Sequence, residues 1–173
     1  MNMQLTAKSL VSVITSPYNR AALLSAVLDL VYAQEGVGEV VKMEGIVVDD
    51  ASADATPEVV CRYLGVRYTR HATKRGEAAA RNAGIRASTG KYVAWLDDDD
   101  LWLPHRLKAH VPVLETDPAV GLVYGQYIIR GEGNGNLWPV ARRAPSGDVL
   151  NAFPMEHFIQ LNTFLAQGEV FQL

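Results

Sequence analysis

The sequence has a single cysteine, Cys61, among its 173 residues. That excludes an intramolecular disulfide framework and is compatible with a reducing compartment. Cys61 is expected to be a small, buried, apolar residue on a helix. Positive charge is not in excess either: 16 lysines and arginines stand against 19 aspartates and glutamates, a formal net charge of −3. Nothing therefore points to broad electrostatic binding of nucleic acid. No apolar run approaches the roughly 20 residues needed to span a bilayer. Residues 1–8 hold no long apolar core of the kind a signal peptide carries. The expected location is cytoplasmic, and peripheral membrane contact is compatible with it. The four histidines, His71, His105, His110 and His157, lack metal-ligand spacing and read as surface or packing residues. Two common phosphate signatures are missing as well: no G-x-G-x-x-G follows the first apolar segment, and no G-x-x-x-x-G-K-[ST] occurs. The ordinary dinucleotide and P-loop solutions are thereby excluded.

What is present is a 49% hydrophobic, 20% charged chain, the composition of one soluble globular domain with a substantial core. Apolar strands alternate with helical stripes, which predicts an α/β protein with a mostly parallel sheet. Residues 10–14 form a compact first strand that Pro17 ends. Leu24, Val27, Leu28 and Val31 fall at i, i+3, i+4 and i+7, a helical stripe closed by Gly36-Val37-Gly38. A second strand over residues 45–48 ends at Asp49-Asp50. Thr56, Pro57 and Glu58 read as cap, first turn and early acid of a helix that buries Val59, Val60, Tyr63 and Leu64. Residues 66–69 are a short third strand, Gly76 opens an Ala-rich helix, and residues 91–96 are a fourth strand. Pro104 starts a helix with Leu103, Leu107, Val111 and Leu114 inward, which Pro112 kinks or shortens. Residues 120–129 are expected to be a strand, 131–136 a flexible turn or loop, 151–159 a short helix and 162–166 a last strand.

Polar clusters fall at the C-terminal ends of three of these strands: Thr15 to Asn19, Asp49-Asp50, and Asp97 to Asp100. In open α/β sheets ligands bind at that edge, so the coincidence is more informative than any one cluster. The last is the strongest, because four consecutive carboxylates are flanked by Trp95, Leu96, Leu101 and Trp102. Such a packed acidic cluster suits a hard divalent cation, Mg²⁺ or Mn²⁺, carrying a phosphorylated ligand. Asp49-Asp50 either caps a turn with Ser52 and Asp54 or accepts hydrogen bonds from a base or ribose. Tyr18 either packs or offers a flat surface to a base. Arg75 and Arg81, with Asn82, flank the groove, and Arg81 can pair with an aspartate, assist a phosphate, or do both.

The ordered motifs resemble glycosyltransferase family 2. They are Val11-Ser12-Val13-Ile14 with Tyr18-Asn19-Arg20; residues 47–56, Val-Val-Asp-Asp-Ala-Ser-Ala-Asp-Ala-Thr; Ala80-Arg81-Asn82-Ala83-Gly84-Ile85; and residues 90–100, ending in the four aspartates. Together they cover about residues 10–114. The resemblance implies a GT-A fold, a Rossmann-like, mostly parallel sheet flanked by helices. It implies a single domain over residues 1–173, with a nucleotide-sugar-binding half over about 9–100 and the start of an acceptor half over 101–173. The expected donor site comprises Thr15, Ser16, Tyr18, Asn19, Asp49, Asp50, Arg75, Arg81, Asp97 and Asp98; within it the resemblance implies Tyr18 and Asp50 at the base and Arg81 near the nucleotide. Asp97 and Asp99 match the family's D-x-D acids, with Asp99 as direct metal ligand, Asp98 toward ribose or sugar, and Asp100 structural.

The resemblance further implies transfer from a nucleotide-diphosphate sugar, a UDP-sugar in the commonest case, to a glycan, lipid or protein hydroxyl. Displacement inverts the anomeric centre, a cation (Mn²⁺ or Mg²⁺) stabilises the leaving diphosphate, and a carboxylate base deprotonates the acceptor. Two departures stand out. Ser16 replaces the proline usual two residues before the Tyr, and Pro17 follows it. The family's base sits in a late Glu-Asp motif, about where this sequence reaches Phe171-Gln172-Leu173. None of Glu115, Asp117, Glu132, Asp148, Glu156 or Glu169 lies in such a motif, and none is assigned as base. A nucleotide-sugar-binding module without turnover is the alternative. A sugar-phosphate nucleotidyltransferase needs a Gly-rich basic loop after the first strand, which residues 15–20 lack. Apolar surface left by a shortened sheet is expected to drive homodimerisation.

Overall fold

β1 (Leu10–Thr15) is buried over five of its six residues, because it is flanked by strands on both sides and by helices on both faces. In the computed structural model, which describes residues 8–131, 133, 135–140, 145–147 and 160–171, β1 pairs in parallel with β2 (Lys42–Asp49) and, on its other side, with β4 (Tyr92–Trp95). β3 (Arg67–Arg70) adds in parallel to β2. Continuous apolar strands buried on both faces are the signature of such parallel sheets. Two later strands complete the sheet. β8 (Phe164–Gln167) runs antiparallel to β4, and β5 (Leu122–Tyr124) runs antiparallel to β8. The strand order is β3-β2-β1-β4-β8-β5. The fold is thus α/β with a mostly parallel six-stranded sheet, as expected.

The period-2 alternation of strands divides the core. Val11 and Val13 face a layer with Val27 and Val31 of α1 (Ala21–Tyr32) and Leu107, Val111 and Leu114 of α4 (Arg106–Thr116). Ile14, Ile46 and Val48 face the other layer, where α3 (Glu77–Ala87) lies. Val47 packs with Leu24, Leu28, Val59 and Val60, between α1 and the short α2 (Thr56–Val60). Gly84 sets the depth of α3: a Cβ there would fall 2.4 Å from Ile14 Cγ2, so only glycine lets the helix sit this close to β1.

Several expectations are corrected. The segment 120–129 is not one strand. β5 ends at Tyr124, and residues 128–130 start a separate hairpin of β6 (Ile128–Arg130) and β7 (Leu137–Pro139). Between them, where a turn or loop is expected, Gly131 N donates to Asn136 O and Gly135 N to Gly131 O. α2 ends at Val60, leaving Leu64 92% exposed and Cys61 exposed. Thr56 is the first residue of the helix rather than its cap, which is Ala55, and its N and Oγ1 both donate to Asp54 Oδ1. α4 begins at Arg106, so Leu103 lies before the helix and is exposed, and the helix runs on through Pro112. The helix expected over 151–159 lies outside the described residues. No helix among the described residues is long and apolar enough to cross a membrane.

Candidate functional site

All four parallel strands end at one edge of the sheet, and the chain reverses its direction of growth between β1 and β4. That reversal opens a crevice at the carboxyl ends of these two strands. Ile14 pairs with Trp95, and Leu96 N donates to Ile14 O at 3.0 Å. The loop after β1 and the acidic loop after β4 are therefore neighbours.

The loop after β1 is locked to the loop after β2. Asp50 N donates to Pro17 O, Asn19 N donates to Ser52 Oγ at 3.0 Å, and Asn19 Oδ1 accepts from Ala53 N at 2.7 Å. Asn19 and Ala51 both adopt positive φ, 55° and 67°. For a non-glycine residue this conformation costs about 1–2 kcal/mol. Asp49 helps hold the strained turn: it is fully buried and its carboxylate accepts from Ser52 N at 2.8 Å and the Tyr68 hydroxyl at 2.7 Å, beside Arg70. Both Asp49 oxygens are thus engaged inside the fold. Thr15 is buried at the end of β1, Ser16 Oγ is buried without a hydrogen-bond partner, and Tyr18 is exposed with Lys74 Nζ 3.6 Å over its ring.

Asp50 organises the loop that leads into α3. Its Oδ1 accepts from His71 Nδ1 at 2.7 Å and Arg75 N at 2.8 Å, and its Oδ2 accepts from Gly76 N at 2.7 Å. Gly76 has a φ of 89°, a turn that an L side chain strains. Burial pushes the Asp50 carboxyl up, but these three donors more than offset it and hold the group below the usual carboxylate range. The Arg75 side chain itself is exposed.

The four aspartates separate. Arg81, carried onto the crevice by α3, places Nη2 2.9 and 3.1 Å from the two oxygens of Asp97 and also pairs with Glu77. Its Nε is buried and unpartnered. Arg20 Nη1 reaches Asp98 at 3.0 Å and Asp99 at 2.5 Å. Asp98 is buried, and that burial raises its carboxyl; Arg20 pulls it back, while Asp99 adds to the rise. Asp100 is raised by burial first and then by its acidic neighbours, while Asn162 Nδ2 donates to it. Asp99 has the most open side chain of the three that meet an arginine, 52% exposed against 29% for Asp97 and 9% for Asp98.

Thus Ser16, Tyr18, Asn19, Asp50, Arg81, Asp97, Asp98 and Asp99 share one edge, while Asp49 is turned into the fold. Three nearby residues carry no site role in the sequence reading: His71, which reads there as a surface or packing histidine, Arg20, which enters only as part of the Tyr-Asn-Arg motif, and Lys74. His71 immediately follows β3, so the rule applied to the other strand ends points to it. It is obscured because β3, Arg-Tyr-Thr-Arg, is polar and exposed throughout. The late acids that are described lie elsewhere. Glu115 bonds Ser9, Lys91 and Tyr92 at the opposite edge, Glu169 follows β8 at that same far edge, and Asp117 accepts from Ala119 N. Glu132, Asp148 and Glu156 lie outside the described residues.

The chain is similar to several known proteins. It is 41% identical over 100 residues to the succinoglycan biosynthesis protein ExoO of Rhizobium meliloti, covering 57% of this chain and 28% of that one. It is 29% identical over 122 residues to the UDP-Glc:alpha-D-GlcNAc-diphosphoundecaprenol beta-1,3-glucosyltransferase WfgD of Escherichia coli, covering 69% and 46%. The solved structure of the mannosyltransferase PcManGT of Pyrobaculum calidifontis, in complex with GDP-Man and Mn²⁺, matches with a TM-score of 0.69 and 24% identity, covering 96% and 47%. The chain spans less than half the length of each of these three. The likeness to the solved structure establishes the GT-A fold. Residues 12–167 match the family model described as Glycosyl transferase family 2, and the chain belongs to that family.

Proposed function

We propose that this chain is the donor-binding part of an inverting transferase that moves a sugar from a nucleotide diphosphate, UDP in the first instance, to an acceptor hydroxyl. The observation that carries the proposal is the convergence of an exposed aromatic ring, a buried charged turn and an acidic pair on one crevice. That crevice also holds two buried polar atoms without partners, Ser16 Oγ and Arg81 Nε. Unsatisfied buried polar atoms are rare in folded proteins, and these two suit hydrogen bonds to a polar ligand. In this assignment the Tyr18 ring receives the base, and Asp50 with the amides it orders shapes the base and ribose pocket. Arg81 lies toward the diphosphate. Asn19 and Asp49 keep the strained 50–54 turn in place.

The acidic loop fits a divalent cation of the Mg²⁺ or Mn²⁺ kind. Asp97 and Asp99 offer hard oxygen donors, and both side chains are partly open to water. Among the described residues no group of three acids, histidines or cysteines could hold a cation unaided. The remaining positions would then belong to diphosphate oxygens and water, a common arrangement for Mg²⁺. When bound, the cation supplies charge neutralisation of the leaving diphosphate. The chain's own contribution is orientation: Tyr18 and Asp50 fix the nucleoside end, and Arg81 adds a guanidinium suited to phosphate.

A second reading, a binding module without turnover, is favoured by one observation. The described late acids, Glu115, Asp117 and Glu169, do not reach the crevice. Titrating UDP with Mn²⁺ by calorimetry tests the donor site. Wild type is expected to bind with metal dependence and Asp99→Ala to lose it; unchanged metal-dependent binding in the variant sinks the metal assignment. Sugar transfer by this chain rejects the binding-module reading. Homodimerisation belongs to the same proposal, and light scattering that shows a monomer overturns it.

A further inference from the structure

Two arginines pair with the acids of the loop assigned to the cation. Arg81 is braced by Glu77 one turn earlier on α3, and its side chain is 24% exposed. Arg20 is different. Its side chain is 47% exposed, its ion pairs among the described residues are those with Asp98 and Asp99, and a single nitrogen, Nη1, serves both carboxylates. One of these acids is nearly buried and the other is the most open of the cluster, so Arg20 spans the inner wall and the mouth of the crevice. Adjacent carboxylates repel, and a cation must sit between them. Between Asp98 and Asp99 that cation is Arg20.

We propose that Arg20 is the built-in counter-ion of the acidic loop, a positioning residue that makes metal and nucleotide binding depend on each other. The inference rests on the donor-site reading above. A free divalent cation arriving at Asp99 must displace the guanidinium and leave it beside a second positive charge, with no anion to take it. A cation arriving with a diphosphate brings that anion. The freed guanidinium then finds phosphate oxygens, with which it forms charge-assisted and often bidentate bonds. Exposed ion pairs are individually weak, but here the displaced group bridges two acids, one of them desolvated. The coupling is reciprocal by linkage: whatever UDP does for the metal, the metal does for UDP.

The test reads protein-bound Mn²⁺ by equilibrium dialysis, with and without UDP, so that Mn²⁺ carried by free UDP is equal on both sides of the membrane. Wild type is expected to bind Mn²⁺ alone weakly, and UDP to tighten it by about tenfold or more, within the usual range of coupling between sites. Arg20→Met is expected to bind Mn²⁺ alone several-fold tighter, and the effect of UDP to shrink by the same factor, leaving the part that diphosphate oxygens on the cation supply. Arg20→Gln, equally neutral, is expected to do the same and carries the test if Arg20→Met does not fold. Arg20→Lys is expected to restore most of the coupling, which a merely structural role would not produce. Neutral variants that bind free Mn²⁺ no tighter than wild type, or that keep the full effect of UDP, overturn the inference. If wild type takes up no Mn²⁺ even with UDP, the metal part of the donor-site reading fails instead, so the two failures are distinguishable.

Discussion

Replacing Gly84 by alanine puts a methyl group where Ile14 already stands. The new Cβ would lie 2.4 Å from Ile14 Cγ2 and 3.2 Å from its Cδ1. Ile14 is 1% exposed on the central strand, and its β-branched side chain has little freedom to turn away. Overpacking of this kind costs about 1–3 kcal/mol, against a helix-propensity gain of about 1 kcal/mol for alanine over glycine. A contact this far inside van der Waals distance belongs to the upper part of the range, so the net loss is about 1–2 kcal/mol. Urea unfolding followed by tryptophan fluorescence measures it. Ile14→Ala alone costs about 2–5 kcal/mol, but it also removes the clashing atoms. The double variant is therefore expected to be about 1–3 kcal/mol more stable than the sum of the single effects. The site moves with the helix. Arg81 lies on α3 three residues before Gly84, so Gly84→Ala is expected to weaken UDP binding and the double variant to recover part of it. Strict additivity, or a Gly84→Ala variant more stable than wild type, would refute the reasoning.

Other consequences are as direct. Tyr18→Ala is expected to lose about 1–3 kcal/mol of UDP affinity, the worth of one base–aromatic stack, and Tyr18→Phe to keep it; calorimetry that finds Tyr18→Ala equal to wild type removes the ring from the base site. Asp50→Asn is expected to cost about 2–4 kcal/mol of stability at neutral pH, since three donors lose a charged acceptor that is nearly buried. Because the folded-state Asp50 is held below its unfolded value, its contribution is full above about pH 4 and is lost as pH falls further. Unfolding midpoints of wild type and variant that converge in acid bear this out, and a constant gap contradicts it. His110 is half-buried beside Arg106, and desolvation with that neighbouring charge pushes it down to about 4. Its neutral form is the stable one, so stability is expected to fall as pH drops from 6.5 toward 4, and His110→Leu to flatten that slope in a guanidinium series.

The sheet was legible because its inner strands are short apolar runs that end in polar clusters. β1, β2 and β4 each bury nearly every residue in their C-terminal stretch, and no helix produces that pattern with Pro17, Asp49 and Asp97 at its ends. The stripe of Leu24, Val27, Leu28 and Val31 is likewise buried as its spacing requires. Periodicity misled where it was carried past an element's end. Leu64 and Leu103 continue an apolar pattern but sit outside their helices, and Gly125 interrupts an alternation that otherwise reads as one strand. At the crevice, residue type and position pointed to Asp50, Arg81 and the acidic loop, but not to who holds whom. Asp49 and Asp50 are adjacent in sequence and point to different partners, which only the turn at Ala51 decides. Arg20 and His71 reach their acids across separations of 78 and 21 residues. No local pattern encodes such a pairing.

The central claim is that a nucleotide diphosphate binds at the carboxyl edge of β1, β2 and β4. Backbone amide shifts on addition of UDP with Mg²⁺, recorded by nuclear magnetic resonance, test it most directly. Perturbations are expected at Tyr18, Arg20, Ala51, Arg75, Gly76, Asp97 and Asp99, with Lys91, Glu115 and Gln167 at the opposite edge unmoved. Shifts confined to that opposite edge, or none at saturating UDP, contradict it.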